Sequence, residues 1–217
     1  MASQTLTLDY FTLFSYFMYN MFLIWFLTFY NFYPDFAWKS MMMLVLGLFG
    51  FIFGLLIMKN VDIQWKPNIT TTSFVMKLGL IFFLSAGSFI LQMIAIFYGY
   101  SSFLSEAQTR IDPTYAVIFY LAAATNEYML FQFCGYRAFK KLWSYTMPNQ
   151  PILSRILSIL LVSLLFGYVY HQVVYGSDVV LMTTAAIGSA IYCIGQDMTS
   201  LSLGGFLPHW LQNLRLP

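Results

Sequence analysis

Charged side chains are scarce in this sequence: they make up 8% of the 217 residues, while 60% of the residues are hydrophobic. A soluble globular domain carries about 25% charged residues, so this composition excludes an ordinary soluble domain. The formal net charge is only +2, and no run of Lys and Arg forms a basic patch, which argues against a nucleic-acid partner. Both cysteines lie in apolar segments, so a disulfide framework is not expected.

Long hydrophobic runs take the place of the missing charges. Those long enough to cross a bilayer as helices lie at 10–33, 40–58, 73–100, 114–136, 152–175 and 179–195. A last segment, 199–214, is shorter and contains Ser, Gly and Pro residues, which predicts a broken or deeply buried helix. The expected fold is an all-α, polytopic transmembrane helical bundle of about seven segments (six to eight), forming a single membrane domain over 1–217.

Basic residues in the short connections predict the orientation of this bundle. The 137–155 connection carries Arg137, Lys140, Lys141 and Arg155 and no acid, so it is expected on the inner side of the membrane. Counting spans back from it places the 59–72 loop and the N-terminus on the same side. The composition is compatible with a plasma membrane, the endoplasmic reticulum or the mitochondrial inner membrane.

Three ionisable residues lie inside apolar segments, where they are costly. Glu127 is in the fourth run, His171 in the fifth and His209 in the last segment, and the two histidines are the only ones in the chain. A charged group at membrane depth costs at least about 2.5 to 3.5 kcal/mol on insertion scales, so such groups usually face a cavity and a partner. We therefore expect the three side chains to converge on one site, within about 8 Å of one another.

The chemistry of these side chains is compatible with more than one kind of site. His209 and Asn213 are four residues apart and project from one face of a helix. A carboxylate, two imidazoles and an amide are the groups needed to activate water at a carbonyl and to hold the resulting oxyanion. Two histidines and a glutamate are equally suited to a divalent metal. A third interpretation is a proton path through a channel or transporter.

The order of these residues resembles the motifs of the CPBP intramembrane proteases, also called type II CAAX endopeptidases or the Abi family. The first motif of that family is a glutamate pair followed, after three residues, by arginine. Here Glu127 is kept, while Tyr128 replaces the second glutamate and Gln132 replaces the arginine. Because Tyr128 and Gln132 are four residues apart, we expect a neutral hydrogen bond between them in place of the ion pair.

The second and third motifs of the family are matched to different degrees. The second is a phenylalanine followed, after three residues, by histidine. Here four residues separate Phe166 from His171, one more than in the motif. This spacing predicts that Phe166 is out of register. The third, histidine, three residues and asparagine or aspartate, is matched by His209 and Asn213. The CPBP-like core is thus 114–214, and 1–113 contributes spans without a recognised motif.

The resemblance implies a glutamate peptidase that needs neither metal nor cofactor. Glu127 would be the general base that activates water, His171 would help to hold the water, and His209 with Asn213 would stabilise the oxyanion. The substrate would be a peptide or a lipidated peptide cleaved near the surface of the lipid bilayer. The altered first motif favours an alternative: a catalytically retired relative that serves as a structural or immunity-type subunit of a larger membrane complex.

Overall fold

A computed structural model of the chain describes residues 71–97, 123–172, 178–200 and 203–213, with a few isolated positions before residue 53. The predicted runs 10–33 and 40–58, apart from those positions, lie outside the described residues. So do residues 59–70 of the predicted 59–72 loop and the first part of the fourth run, whereas residues 71 and 72 already belong to a helix. The described residues form helices and turns and contain no strand, which confirms the all-α class for this part of the chain.

The helices follow one another in a simple order. They are α1 (Thr71–Phe97), π1 (Tyr128–Gly135), α2 (Tyr136–Thr146), α3 (Pro151–Leu164), π2 (Leu165–Tyr170), α4 (Val179–Thr199) and α5 (Leu203–Asn213). In the π-helices π1 and π2, backbone hydrogen bonds span five residues rather than four. Residues 123–127 are helical and lead through π1 into α2, and α3 leads into π2. The fourth predicted run therefore continues as helix well past residue 136.

Local signals in the sequence mark several of these helix ends. The α2–α3 connection is a turn over Pro148 and Asn149, and Pro151 occupies the first turn of α3, where its missing N–H costs nothing. The Asp178 carboxylate caps α4 by accepting hydrogen bonds from the backbone N–H groups of Val180 and Leu181, at 2.8 and 3.1 Å. At its other end, α4 is followed by Ser200 in the left-handed conformation, with φ of 56°.

Within the described ranges, three helical segments are long and apolar enough to cross a membrane: Ser73–Ala95, Pro151–Tyr170 and Val179–Thr199. Their outer faces carry large exposed hydrophobic side chains. On α1, for example, Phe82 is 78% exposed and Phe83 is 72% exposed. Contiguous apolar surface of this kind is unfavourable in water and favourable in lipid, so the described part of the chain is compatible with a membrane protein.

Helix α4 lies at the centre of the packing and contacts α1, α3, π2 and α5. Its close approach to α5 depends on glycine, because a Cβ on Gly195 would overlap the carbonyl oxygen of Gly204, and one on Gly204 would overlap that of Gly195. Small residues that let helix backbones touch are typical of helix packing in membranes. This approach brings the short helix α5 against α4, which π1 and π2 also contact.

Candidate functional site

Glu127 lies at the end of the helical stretch 123–127, immediately before π1, and is 2% exposed. Its Oε1 accepts a hydrogen bond from the Tyr170 hydroxyl at 3.2 Å. Its Oε2 lies 3.1 Å from Nε2 of His209, which donates to it. A carboxylate taken out of water needs such donors, because burying it without partners is expensive. Glu127 thus connects the helix that leads into π1 with π2 and α5.

His209 reaches Glu127 from α5 and is 1% exposed. Its ring stacks on the ring of Tyr192 from α4, with centroids 4.5 Å apart and planes 8° apart. The Tyr192 hydroxyl donates a hydrogen bond to Oε1 of Gln212, one turn further along α5. The Nδ1 atom of His209 has no hydrogen-bond partner among the described residues. The imidazole is therefore held by stacking on one face and by the hydrogen bond at Nε2, while Nδ1 makes no hydrogen bond within the described residues.

His171 follows π2 directly and is also buried. Its Nδ1 lies 2.9 Å from the carbonyl oxygen of Phe166. Because a carbonyl oxygen only accepts, Nδ1 carries a proton. The Phe166 ring meets both imidazoles edge-to-face, with centroid distances of 4.5 Å to His171 and 5.7 Å to His209. The Tyr170 ring, whose hydroxyl donates to Glu127, also meets the His171 ring edge-to-face, with centroids 5.6 Å apart. The structure therefore brings the three predicted ionisable residues into one buried cluster.

The sequence predicts that Phe166 is out of register with His171, but the π-helix π2 brings the two side chains together. The sequence has one residue too many between Phe166 and His171 for an α-helical turn, but a π-helical turn contains one more residue. Accordingly, the backbone N–H of His171 donates to the carbonyl of Phe166, five residues earlier. The Phe166 side chain therefore contacts the His171 ring despite the extra residue, and the expectation that it is out of register is wrong.

The expected hydrogen bond between Tyr128 and Gln132 is also wrong. The Tyr128 hydroxyl donates to Oε1 of Gln196 at 2.5 Å, and Nε2 of Gln132 donates to Oγ of Ser189 at 2.9 Å. Both acceptors lie on α4. The facing helix supplies buried polar partners that the local spacing does not reveal, so the two side chains fasten π1 to α4 instead of to each other.

Asn213 is the last residue of α5, four positions after His209. The helix therefore places the backbone of Asn213 on the same face as His209. The Asn213 side chain lies outside the described residues.

Two tyrosines of the site were not predicted from the sequence. Tyr170 donates to the Glu127 carboxylate, and the Tyr192 ring stacks on the imidazole of His209. Their positions gave little signal, because tyrosine is frequent in this chain, with 16 copies. The adjacency of Tyr170 to His171 was the one available indication.

The cluster combines a proton-accepting carboxylate with two imidazoles in a site almost closed to solvent. Such groups can take a proton from a bound water or hydroxyl and return it to a leaving group. In the part of the chain that the structure describes, no three His, Cys, Asp or Glu side chains are arranged to hold a metal ion. The prediction that the site works without a metal stays a prediction.

No protein-family model, curated protein or solved structure matches this chain. The functional conclusion therefore depends on the residues of the buried cluster and their geometry.

Proposed function

We propose that the chain is a multi-pass membrane protein and an intramembrane peptidase of the CPBP type, with Glu127 as the general base. The observation that carries the proposal is the 3.1 Å contact between Glu127 and His209, which are 82 residues apart and almost completely buried. Polar pairs at this depth in an apolar bundle usually mark a functional site. The motif resemblance names the same two residues on independent grounds.

The reaction assigns one step to each polar group. Glu127 removes a proton from a water molecule, whose oxygen attacks the carbonyl carbon of the peptide bond. The negative charge that develops on the carbonyl oxygen is stabilised by His209 and Asn213, and His171 orients the water. The C–N bond then breaks, and the proton held by Glu127 passes to the departing amine. Tyr170 keeps the carboxylate oriented through its hydrogen bond to Oε1.

The direct test is hydrolysis by the purified protein in liposomes. The probes are an internally quenched peptide with a farnesylated C-terminal cysteine motif, its unlipidated form and a mixed peptide library, each incubated in H₂¹⁸O. We expect one ¹⁸O atom in each new carboxylate. Glu127→Gln should slow cleavage by about 10² to 10⁴-fold, the range found for general bases.

A matched control distinguishes the loss of the general base Glu127 from the loss of a carboxylate elsewhere in the protein. Asp178→Asn removes the negative charge at the start of α4 while preserving a good helix cap, so its activity should equal that of the wild type. Equal cleavage by Glu127→Gln and wild-type protein would rule out the proposed base. Stoichiometric zinc in the wild type, lost together with activity in His209→Ala, would show that the site is a metal centre instead.

A second candidate function is a structural subunit of a larger membrane complex. The observation that favours it is the use of Tyr128 and Gln132, at the positions of the family's charged pair, to fasten π1 to α4. Purification from the native membrane in a mild detergent tests it. Recovery in a complex of fixed stoichiometry, with no cleavage above the Glu127→Gln background, would select the structural function.

A further inference from the structure

A cluster of basic side chains surrounds one carboxylate at the ends of three helices. The basic cluster comprises Arg137 and Lys140 on α2, Arg155 on α3 and Asp197 on α4. Lys140 Nζ lies 2.7 Å from Oδ1 of Asp197, and Arg155 Nη1 lies 3.5 Å from Oδ2. Among the described residues, three cations and one carboxylate leave the basic cluster with a net charge of +2. The cluster is therefore unbalanced and attracts an anion.

Arg137 is the cation of the basic cluster whose hydrogen-bonding groups are not fully used by the described residues. Its guanidinium lies over the Phe133 ring, 3.7 Å from the ring centroid, which covers one face of the planar group. The nearby carboxylate already contacts Lys140 and Arg155. Nη1 of Arg137 is buried and has no hydrogen-bond partner in the described ranges. A guanidinium in this state offers its donors to planar or tetrahedral oxyanions, and phosphate is a preferred ligand.

The basic cluster lies where a membrane helix would meet lipid headgroups. Arg155 is in the first turns of the apolar segment Pro151–Tyr170, and Asp197 is near the end of Val179–Thr199. Tyr145, which is 46% exposed, and Trp143 lie on the same helix as Arg137 and Lys140. Aromatic side chains of these two types are enriched at the membrane interface. The ligand that matches this position, as well as the charge, is a membrane lipid.

We propose that the basic cluster binds the phosphate headgroup of an anionic phospholipid, of which phosphatidylglycerol is the test case. Basic pockets between membrane helices bind anionic headgroups in this way, and each Lys or Arg near the surface changes the affinity by about fivefold. Asp197 competes with the phosphate for Lys140 and Arg155, so it sets the affinity below the value that the three cations alone would give. The proposal is independent of whether Glu127 catalyses hydrolysis.

The test measures lipid binding to the purified protein in a neutral detergent by native mass spectrometry. Phosphatidylglycerol is compared with phosphatidylcholine of the same acyl chains, and with inorganic phosphate. Arg137→Gln and Arg155→Gln should each weaken phosphatidylglycerol binding by about fivefold. Gln150→Ala, an exposed and uncharged change at the same end of the helices, should leave it unchanged. Higher salt should weaken binding to the wild type, because the attraction is electrostatic.

One variant should raise the affinity for phosphatidylglycerol instead of lowering it. A folding defect would lower this affinity, so it does not produce the same result. Asp197→Asn removes the competing carboxylate and should strengthen phosphatidylglycerol binding by about fivefold. Equal binding of the two phospholipids, or unchanged binding in both arginine variants, would overturn the proposal. Inorganic phosphate binding as tightly as phosphatidylglycerol would also overturn it, because the site would then recognise free phosphate instead of a lipid.

Discussion

At the scale of single residues, the cluster around Glu127 shows how a buried carboxylate is stabilised in an apolar bundle. The Tyr170 hydroxyl and the His209 ring donate to different oxygens of the same carboxylate. Hydrogen bonds to an ionised group contribute about 1.5 to 3 kcal/mol each, more than those between neutral groups. The donors come from π2 and α5, so the carboxylate also links two segments that are distant in the sequence.

Replacing Tyr170 by Phe should therefore lower the free energy of unfolding by about 1.5 to 3 kcal/mol, because it removes a donor from a buried charge. Tyr168→Phe is the matched control, since the Tyr168 hydroxyl contacts Thr183 at an exposed position, 3.0 Å away. That change should cost less than about 1 kcal/mol. Unfolding in mixed micelles by titration with denaturing detergent measures both values. Equal losses would show that the Tyr170 bond contributes no more than an exposed one.

The hydrogen bonds of Tyr128 and Gln132 to α4 make a second prediction at this scale. In a double-mutant cycle, Tyr128→Phe and Gln196→Met should be coupled by about 0.5 to 1.5 kcal/mol, because their side chains bond directly. Tyr128→Phe and Gln132→Met should be additive. The same unfolding measurement gives both coupling energies. Coupling to Gln132 instead of Gln196 would restore the local pair that the sequence suggested.

At the scale of the helix, π2 explains how an additional residue is accommodated without disturbing the site. A residue added to an α-helix rotates everything after it by about 100°, which would turn His171 away from Phe166. A π-helical turn absorbs the residue locally, and such turns occur frequently at functional sites. The site thus keeps its Phe–His contact although the backbone donor and acceptor are five positions apart.

Deletion of Val169 should consequently be tolerated. It converts π2 to α-helix, leaves three residues between Phe166 and His171, and removes a side chain that is 48% exposed. Deletion of Leu160, which is 53% exposed but lies in the regular helix α3, should misplace His171 and prevent folding. Yield of monodisperse protein and thermal stability in detergent distinguish the two. Equal damage from both deletions would show that π2 does not act as an insertion.

The contact between α4 and α5 makes a prediction about helix packing. Gly195→Ala should destabilise the protein by about 1 to 3 kcal/mol, because its Cβ would force apart two backbones in contact. Gly87→Ala on α1 is the control, since nothing lies within 4 Å of its added Cβ. Alanine should stabilise that helix by up to about 1 kcal/mol. Thermal unfolding in detergent reports both signs, and a neutral Gly195→Ala would contradict the close packing.

At the scale of the whole molecule, the apolar segment Pro151–Tyr170 separates two connections that should lie on opposite sides of the membrane. A cysteine in place of the exposed Asn149 should react with a membrane-impermeant maleimide from the inner side, where the basic connection is expected. A cysteine in place of Val179, which is 65% exposed at the start of α4, should react only from the outer side. The native Cys134 and Cys193 are buried and give little background. Labelling of both from one side would contradict the proposed span.

The sequence by itself determined the helical class, the apolar segments and the three ionisable residues that share the buried cluster. These features depend on composition and on local periodicity, which are properties of the chain alone. Only the tertiary structure decided that Phe166 stays in contact with His171, that Tyr128 and Gln132 bond to α4, and that Tyr170 and Tyr192 belong to the site. Those outcomes depend on the register between helices, and that register is set by packing between residues that are up to 82 positions apart in the chain.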